Sequence, residues 1–104
     1  TLGGDVNLLP LSSVFCMRSA DKYTTVLHRA GESVIDQSLT ELEAEYGEIL
    51  VRIHRNTLVV KNCIRGLEKA ADGRHLLKMA GCDERPPVSR RNLPAIRQLI
   101  RDLK

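Results

Sequence analysis

Short apolar runs and two-residue alternation dominate the chain until about residue 90, where the spacing turns helical. Val14-Phe15-Cys16-Met17-Arg18 is short and apolar, and Tyr23-Thr24-Thr25-Val26-Leu27-His28 is rich in β-branched and aromatic residues. With Ser19-Ala20-Asp21-Lys22 as the turn, the two predict a hairpin. Arg29-Ala30-Gly31-Glu32 predicts a second turn, leading into a short strand at residues 33–35. Ser38-Leu39-Thr40-Glu41 has the spacing of a capping box, in which the Ser and Glu side chains satisfy orphan backbone donors reciprocally. A short helix is expected there, with Leu39 and Leu42 inward and its end near Gly47. Residues 49–53 predict a strand buried on at least one face, residues 58–60 another, with His54-Arg55-Asn56-Thr57 between them.

Ile64–Lys69 and His75–Met79 flank Asp72-Gly73, a strong hairpin signal. Pro86-Pro87 opposes regular structure at its own position and leaves Val88-Ser89 as a short edge strand. A terminal helix closes the chain: Asn92 is a candidate cap, Pro94 is tolerated in a first turn, and Leu93, Ile96, Leu99, Ile100 and Leu103 recur on one face. Arg97, Arg101 and Lys104 fall on other faces. The expected class is mainly β, antiparallel, with one short internal helix and a C-terminal helix. This order is neither βαβ nor helix-turn-helix.

A length of 104 residues suits one domain that needs no metal or disulfide for stability. Residues 1–10 lack an initial Met and combine Gly-Gly with Pro, so they read as a linker remnant from an N-terminal neighbour. The domain proper then spans 11–104. The apolar runs are too short for a membrane span or a signal-peptide core. Cys16, Cys63 and Cys82 are odd in number and lack CxxC spacing, which argues against a disulfide framework and for a reducing cytoplasm. Cys16 and Cys63 read as packed strand residues rather than nucleophiles. Only Phe15, Tyr23 and Tyr46 are aromatic. Their scarcity argues against single-strand readers that stack bases on aromatic platforms.

Charge changes the picture more than composition does. Formal net charge is +3, yet residues 85–104 hold six basic side chains against Asp102, which leaves −2 on the preceding 84 residues. A second basic stretch, residues 49–66, carries Arg52, Arg55, Lys61, Arg65 and His54 without an acid, whereas residues 36–48 carry five acids and no base. Glu41, Glu43 and Glu45 read as a solvated helix face. The molecule is therefore expected to have one basic face.

Enzyme motifs are absent: no HExxH, no GxxxxGK[ST], no GxSxG, and no metal-ligand spacing among the His and Cys residues. No cofactor is implied. The basic segments carry different chemistry. Arginine forks onto guanine O6/N7 and asparagine onto adenine N6/N7, so Arg55-Asn56 at a strand-to-strand turn suits base reading. Val88-Ser89-Arg90-Arg91-Asn92 offers the same residue types before a helix N-terminus, where phosphate binds well. Surface arginine is common, and either segment alone reads first as solvated surface; the two together, on a chain with a segregated acidic stretch, point toward nucleic acid. His54 reads either as a half-buried residue hydrogen-bonding the turn or as a groove reader, and Asn56 either as a reader or as a turn-holding side chain.

These residues carry a family resemblance. Over residues 11–104 the chain resembles the LytTR DNA-binding domain, an output module of bacterial response regulators. The carriers are Tyr23-Thr24-Thr25-Val26, Ser38-Leu39-Thr40-Glu41-Leu42-Glu43, Val51-Arg52-Ile53-His54-Arg55-Asn56-Thr57-Leu58-Val59-Val60, and Val88-Ser89-Arg90-Arg91. The chain departs from the common pattern at Leu50, where the family often has Phe, and at Lys61, where it often has Asn.

The resemblance implies an elongated, layered antiparallel fold whose loops enter two successive major grooves and touch the minor groove between them. By position it implies base readers at Lys22 or Tyr23, at Arg55 and Asn56, and at Arg90. Arg55 and Arg90 are expected in different major grooves. His54, Lys61, Arg65, Arg91, Arg97 and Arg101 are expected to contact phosphate. The implied partners are double-stranded promoter DNA with repeated half-sites, a second copy of the domain on that DNA, and an N-terminal receiver domain. An RNA-binding or protein-docking basic module is the alternative.

Overall fold

The computed structural model describes residues 11–102. The linker reading for residues 1–10 and the assignments to Leu103 and Lys104 lie outside that range. The elements run β1 (Val14–Ala20), β2 (Tyr23–His28), β3 (Gly31–Ile35), α1 (Leu39–Glu45), β4 (Leu50–His54), β5 (Thr57–Val60), β6 (Ile64–Lys69), β7 (His75–Met79), β8 (Pro87–Val88) and α2 (Leu93–Asp102), with single 3-10 turns at Leu11–Ser13 and Lys61–Cys63. All strand pairs are antiparallel, in a five-stranded sheet ordered β3-β2-β1-β5-β4 and a three-stranded sheet ordered β6-β7-β8. The expected class holds: mainly β, layered, with two helices and an elongated envelope of 40 × 28 × 25 Å.

The large sheet is buried on both faces along β1, β5 and β4, while β3 is largely exposed. Val14, Met17, Val26, Leu50, Leu58 and Val60 pack against Leu39 and Leu42 of α1. From the opposite face Phe15, Cys16, Ile53 and Val59 meet Ile64, Leu77 and Met79 of the small sheet and Leu93 and Ile96 of α2. This explains why Thr57-Leu58-Val59-Val60 is buried throughout, since successive side chains of one strand enter different cores. The capping box forms as expected: Ser38 Oγ accepts from Glu41 N at 3.1 Å, and Glu41 Oε1 accepts from Ser38 N at 3.3 Å.

Several boundaries differ from the sequence expectation. Ser19 and Ala20 pair with Thr24 and Tyr23, so the β1–β2 turn shrinks to Asp21-Lys22, with Asp21 at φ 56°. Aspartate tolerates that left-handed conformation better than most residues. Gly31 and Glu32 belong to β3 rather than to a turn. Pro87 lies within β8 and Ser89 outside it; β8 is an edge strand, where a missing N–H is tolerated. Cys63 sits half-buried in a 3-10 turn, not on a strand. No helix among the described residues is long and apolar enough to cross a membrane.

Candidate nucleic-acid interface

Two hairpin turns share one end of the large sheet. β1 neighbours β5 with Arg18 opposite Thr57, so Asp21-Lys22 and Arg55-Asn56 emerge side by side, and Ser19 N donates to Asn56 O at 2.9 Å. Strands sit about 4.8 Å apart, which places the turn centres roughly 10 Å from each other. Lys22, Tyr23 and Arg55 are exposed, and Tyr23 at 57 % is the most exposed large apolar side chain described.

A bulge brings in the third segment. In the β4–β5 ladder Arg52 pairs with Leu58 and His54 with Thr57, so Ile53 is the extra residue. Its side chain is fully buried while its carbonyl accepts from Ser89 N at 2.9 Å. One residue back, Arg52 O accepts from Asn92 Nδ2 at 2.9 Å, and Asn92 Oδ1 accepts from Ser89 Oγ at 2.7 Å. Asn92 thus uses its side chain to tie the start of α2 to β4. Arg90 and Arg91 lie exposed between these anchors. The Arg55-Asn56 turn consequently occupies the middle, bonded to β1 on one side and linked through its own strand to the Arg90 segment on the other.

Arg52 belongs to the scaffold instead of the basic face. Its Nη2 meets Glu43 Oε1 at 2.9 Å and its Nη1 donates to Arg55 O at 2.6 Å. Glu43 is therefore a brace carried by α1 rather than a solvated acid. Asn56 holds its turn through Oδ1, which accepts from Thr57 Oγ1 at 3.0 Å. His54 is half-buried, and its Nδ1 is buried without a hydrogen-bond partner.

The remaining predicted contacts divide by position. Arg97 reaches toward His75, with Nη2 and Nε2 3.5 Å apart, and Arg101 lies one helical turn further along the exposed side of α2. Lys61 and Arg65 are not brought to the same end. Lys61 N donates to Ile49 O just before β4 begins, roughly 15 Å along the strand from Arg55-Asn56. Arg65 Nη1 is held by the carbonyls of Asn62 and Ile64.

Sequence reasoning missed the β6–β7 hairpin tip. Lys69 and Arg74 there share a cleft with His54 and Arg90. The available signal was a basic residue on either side of the Asp72-Gly73 turn. Arg74 N and Nε both donate to Asp72, which holds that carboxyl below the usual range. Burial pushes the Cys16 thiol up to about 11 and raises Cys63 as well. Among the described residues no group of His, Cys, Asp and Glu is placed to hold a metal ion.

Comparison with known proteins bears on the fold and the family. The chain is 38% identical over 99 residues to the positive alginate biosynthesis regulatory protein of Pseudomonas aeruginosa; the match covers 94% of this chain but only 40% of that protein's length. The solved LytTr DNA-binding domain of a putative methyl-accepting/DNA response regulator from Bacillus cereus superimposes with a TM-score of 0.76 at 29% identity, covering 88% of this chain and 84% of that one. The family description "LytTr DNA-binding domain" matches residues 4–101, and the chain belongs to that family of DNA-binding domains.

Proposed function

We propose that this domain binds double-stranded DNA sequence-specifically, as the output domain of a two-component response regulator that controls transcription. The observation that carries the reading is the alignment of three polar segments at one end of the fold, tied together through Ser19 N, Ser89 N and Asn92 Nδ2. Their order matters. Lys22 and Tyr23 lie on one side, Arg90 on the other, and Arg55 with Asn56 between. Successive major grooves on one face of a duplex alternate with a minor groove, so the outer segments suit the two major grooves and the middle turn suits the minor groove between them. This moves Arg55 from the second major groove to the narrow groove, whose negative potential favours an inserted arginine.

His54, Arg91, Arg97 and Arg101 supply phosphate contacts near the readers. Lys61 and Arg65 contribute only where the duplex passes the far end of the sheet. Two copies on repeated half-sites, and a receiver domain N-terminal to the linker at residues 1–10, complete the proposal. The chain spans 40% of the alginate regulator's length, which leaves room for such a domain in proteins of that length. Control of alginate biosynthesis, named for that relative, is the proposed process.

The test is in vitro selection from a random duplex pool. The selected duplex is then compared with a scrambled duplex and with an RNA duplex of the same sequence, at several salt concentrations. Preference for the selected DNA supports the reading; equal binding of all three removes it.

A further inference from the structure

Between the Arg90 segment and the β6–β7 tip lies a cleft of about 570 Å³, lined by His54, Lys69, Arg74, His75, Ser89 and Arg90 among others. Its walls come from β4, from the hairpin and from the turn before α2, so residues far apart in sequence converge there. Lys69 and His75 form the last pair of the β6–β7 ladder, and both face it. Lys69 and Arg90 make no hydrogen bond or ion pair among the described residues. Lys69, Arg74 and Arg90, with His54 and His75, line the cleft against one acid, Asp72, which engages the Nε edge of Arg74 at 2.8 Å. The first residue of α2, Leu93, closes one side, so the positive end of that helix adds to the field.

Position selects the ligand. His54 directly precedes the Arg55-Asn56 turn, and Arg90 is itself a wall. A DNA strand carries one phosphate per about 3.4 Å of axis, so a duplex read by both segments must run phosphates past the cleft. We infer that the cleft is a phosphodiester seat, in which Lys69 and Arg74 of the β6–β7 tip bind the DNA backbone beside the base read by Arg90. This rests on the DNA-reading proposal above. Asp72 tempers the seat, because its carboxylate holds Arg74 and repels an incoming phosphate.

The experiment measures binding of the 104-residue chain to its selected and scrambled duplexes between 50 and 200 mM salt. Variants are Lys69→Ala, Arg74→Gln, Asp72→Asn and Arg90→Ala, with Arg29→Ala as a charge control at the opposite end of the large sheet and thermal melts to confirm folding. Lys69→Ala and Arg74→Gln should each weaken both duplexes alike and flatten the log–log salt slope by about 0.9, so the deficit shrinks about 3.5-fold across that range. Asp72→Asn should tighten both duplexes. A neutral methylphosphonate at the seated phosphate should abolish the effect of Lys69→Ala, whereas millimolar inorganic phosphate should not compete. Slopes unchanged beyond the Arg29→Ala control, with preference lost in Arg90→Ala, would overturn the seat and leave the reading intact. Flattened slopes with preference kept in Arg90→Ala would support the seat and overturn the base-reading role. Competition by inorganic phosphate at that concentration would overturn the DNA backbone as the occupant.

Discussion

Asn92 reaches across 40 residues of sequence to donate Nδ2 to the carbonyl of Arg52 at 2.9 Å. That bond joins the start of α2 to the strand leading into the Arg55-Asn56 turn. The Arg52 side chain meanwhile bonds Glu43 and the carbonyl of Arg55. A single connected set of hydrogen bonds therefore runs from α1 through β4 to the Arg90 segment.

Asn92→Ala removes this tie and leaves a half-buried carbonyl and the Ser89 hydroxyl without it. The expected loss is about 1–2 kcal/mol of stability, read by urea unfolding. Preference for the selected duplex should fall as well, because Arg90 loses its fixed distance from Arg55. A variant equal to wild type in both measurements would show the bond to be incidental.

Glu43→Gln tests the other end of the set. The pair is partly exposed, at 20% and 43% for the Arg52 and Glu43 side chains, so stability should change by less than about 1 kcal/mol. Preference for the selected duplex should nevertheless drop severalfold, since Arg52 is freed to leave the Arg55 carbonyl. Arg52→Lys cannot span both acceptors and should behave like Glu43→Gln. The check is competition binding alongside a melting curve.

Arg90→Ala should erode preference for the selected over the scrambled duplex by tenfold or more, since a bidentate arginine–guanine pair is worth about 1–3 kcal/mol. Arg55→Ala should lose preference mainly where the selected site has a narrow, A/T-rich centre. On the proposed reading Arg55 and Arg90 touch different grooves, so their losses should add to within about half a kcal/mol in the double variant. Equal weakening on both duplexes would reduce both residues to phosphate contacts. Loss in Arg91→Ala but not Arg90→Ala would shift the reader by one residue.

Cys16 is 2% exposed, and burial lifts its thiol from an ordinary value near 9 to about 11. The unfolded chain therefore releases this proton first as pH rises. Its contribution to stability is intact below pH 9, falls between pH 9 and 11, and levels off above, by about 2–3 kcal/mol in all. Urea unfolding at pH 8 and pH 11, for wild type and Cys16→Ala, should show a steeper decline in the wild type. Parallel declines would contradict it. DNA binding at neutral pH should survive the substitution wherever the fold does.

Local physics made much of this protein legible in its sequence. The capping box at Ser38, the Asp72-Gly73 hairpin and the helical spacing after Asn92 depend on neighbours within a few residues, and each appears where its pattern places it. Base-suited residues at Arg55-Asn56 and Arg90 were visible too, because residue type at a turn is a local property. The tertiary structure alone decided which basic residues act together. Arg52 and Lys61 belong to the same acid-free stretch, yet Arg52 is neutralised by Glu43 from α1, and Lys61 is carried to the far end of β4 and β5. Lys69 and Arg74, unremarked in sequence, come beside Arg90 because the β7–β8 pairing and the Ile53 bulge dock the two segments together. Charge acts through space, and strand order and register, set by burial on both faces of β1, β5 and β4, determine the distances over which it acts.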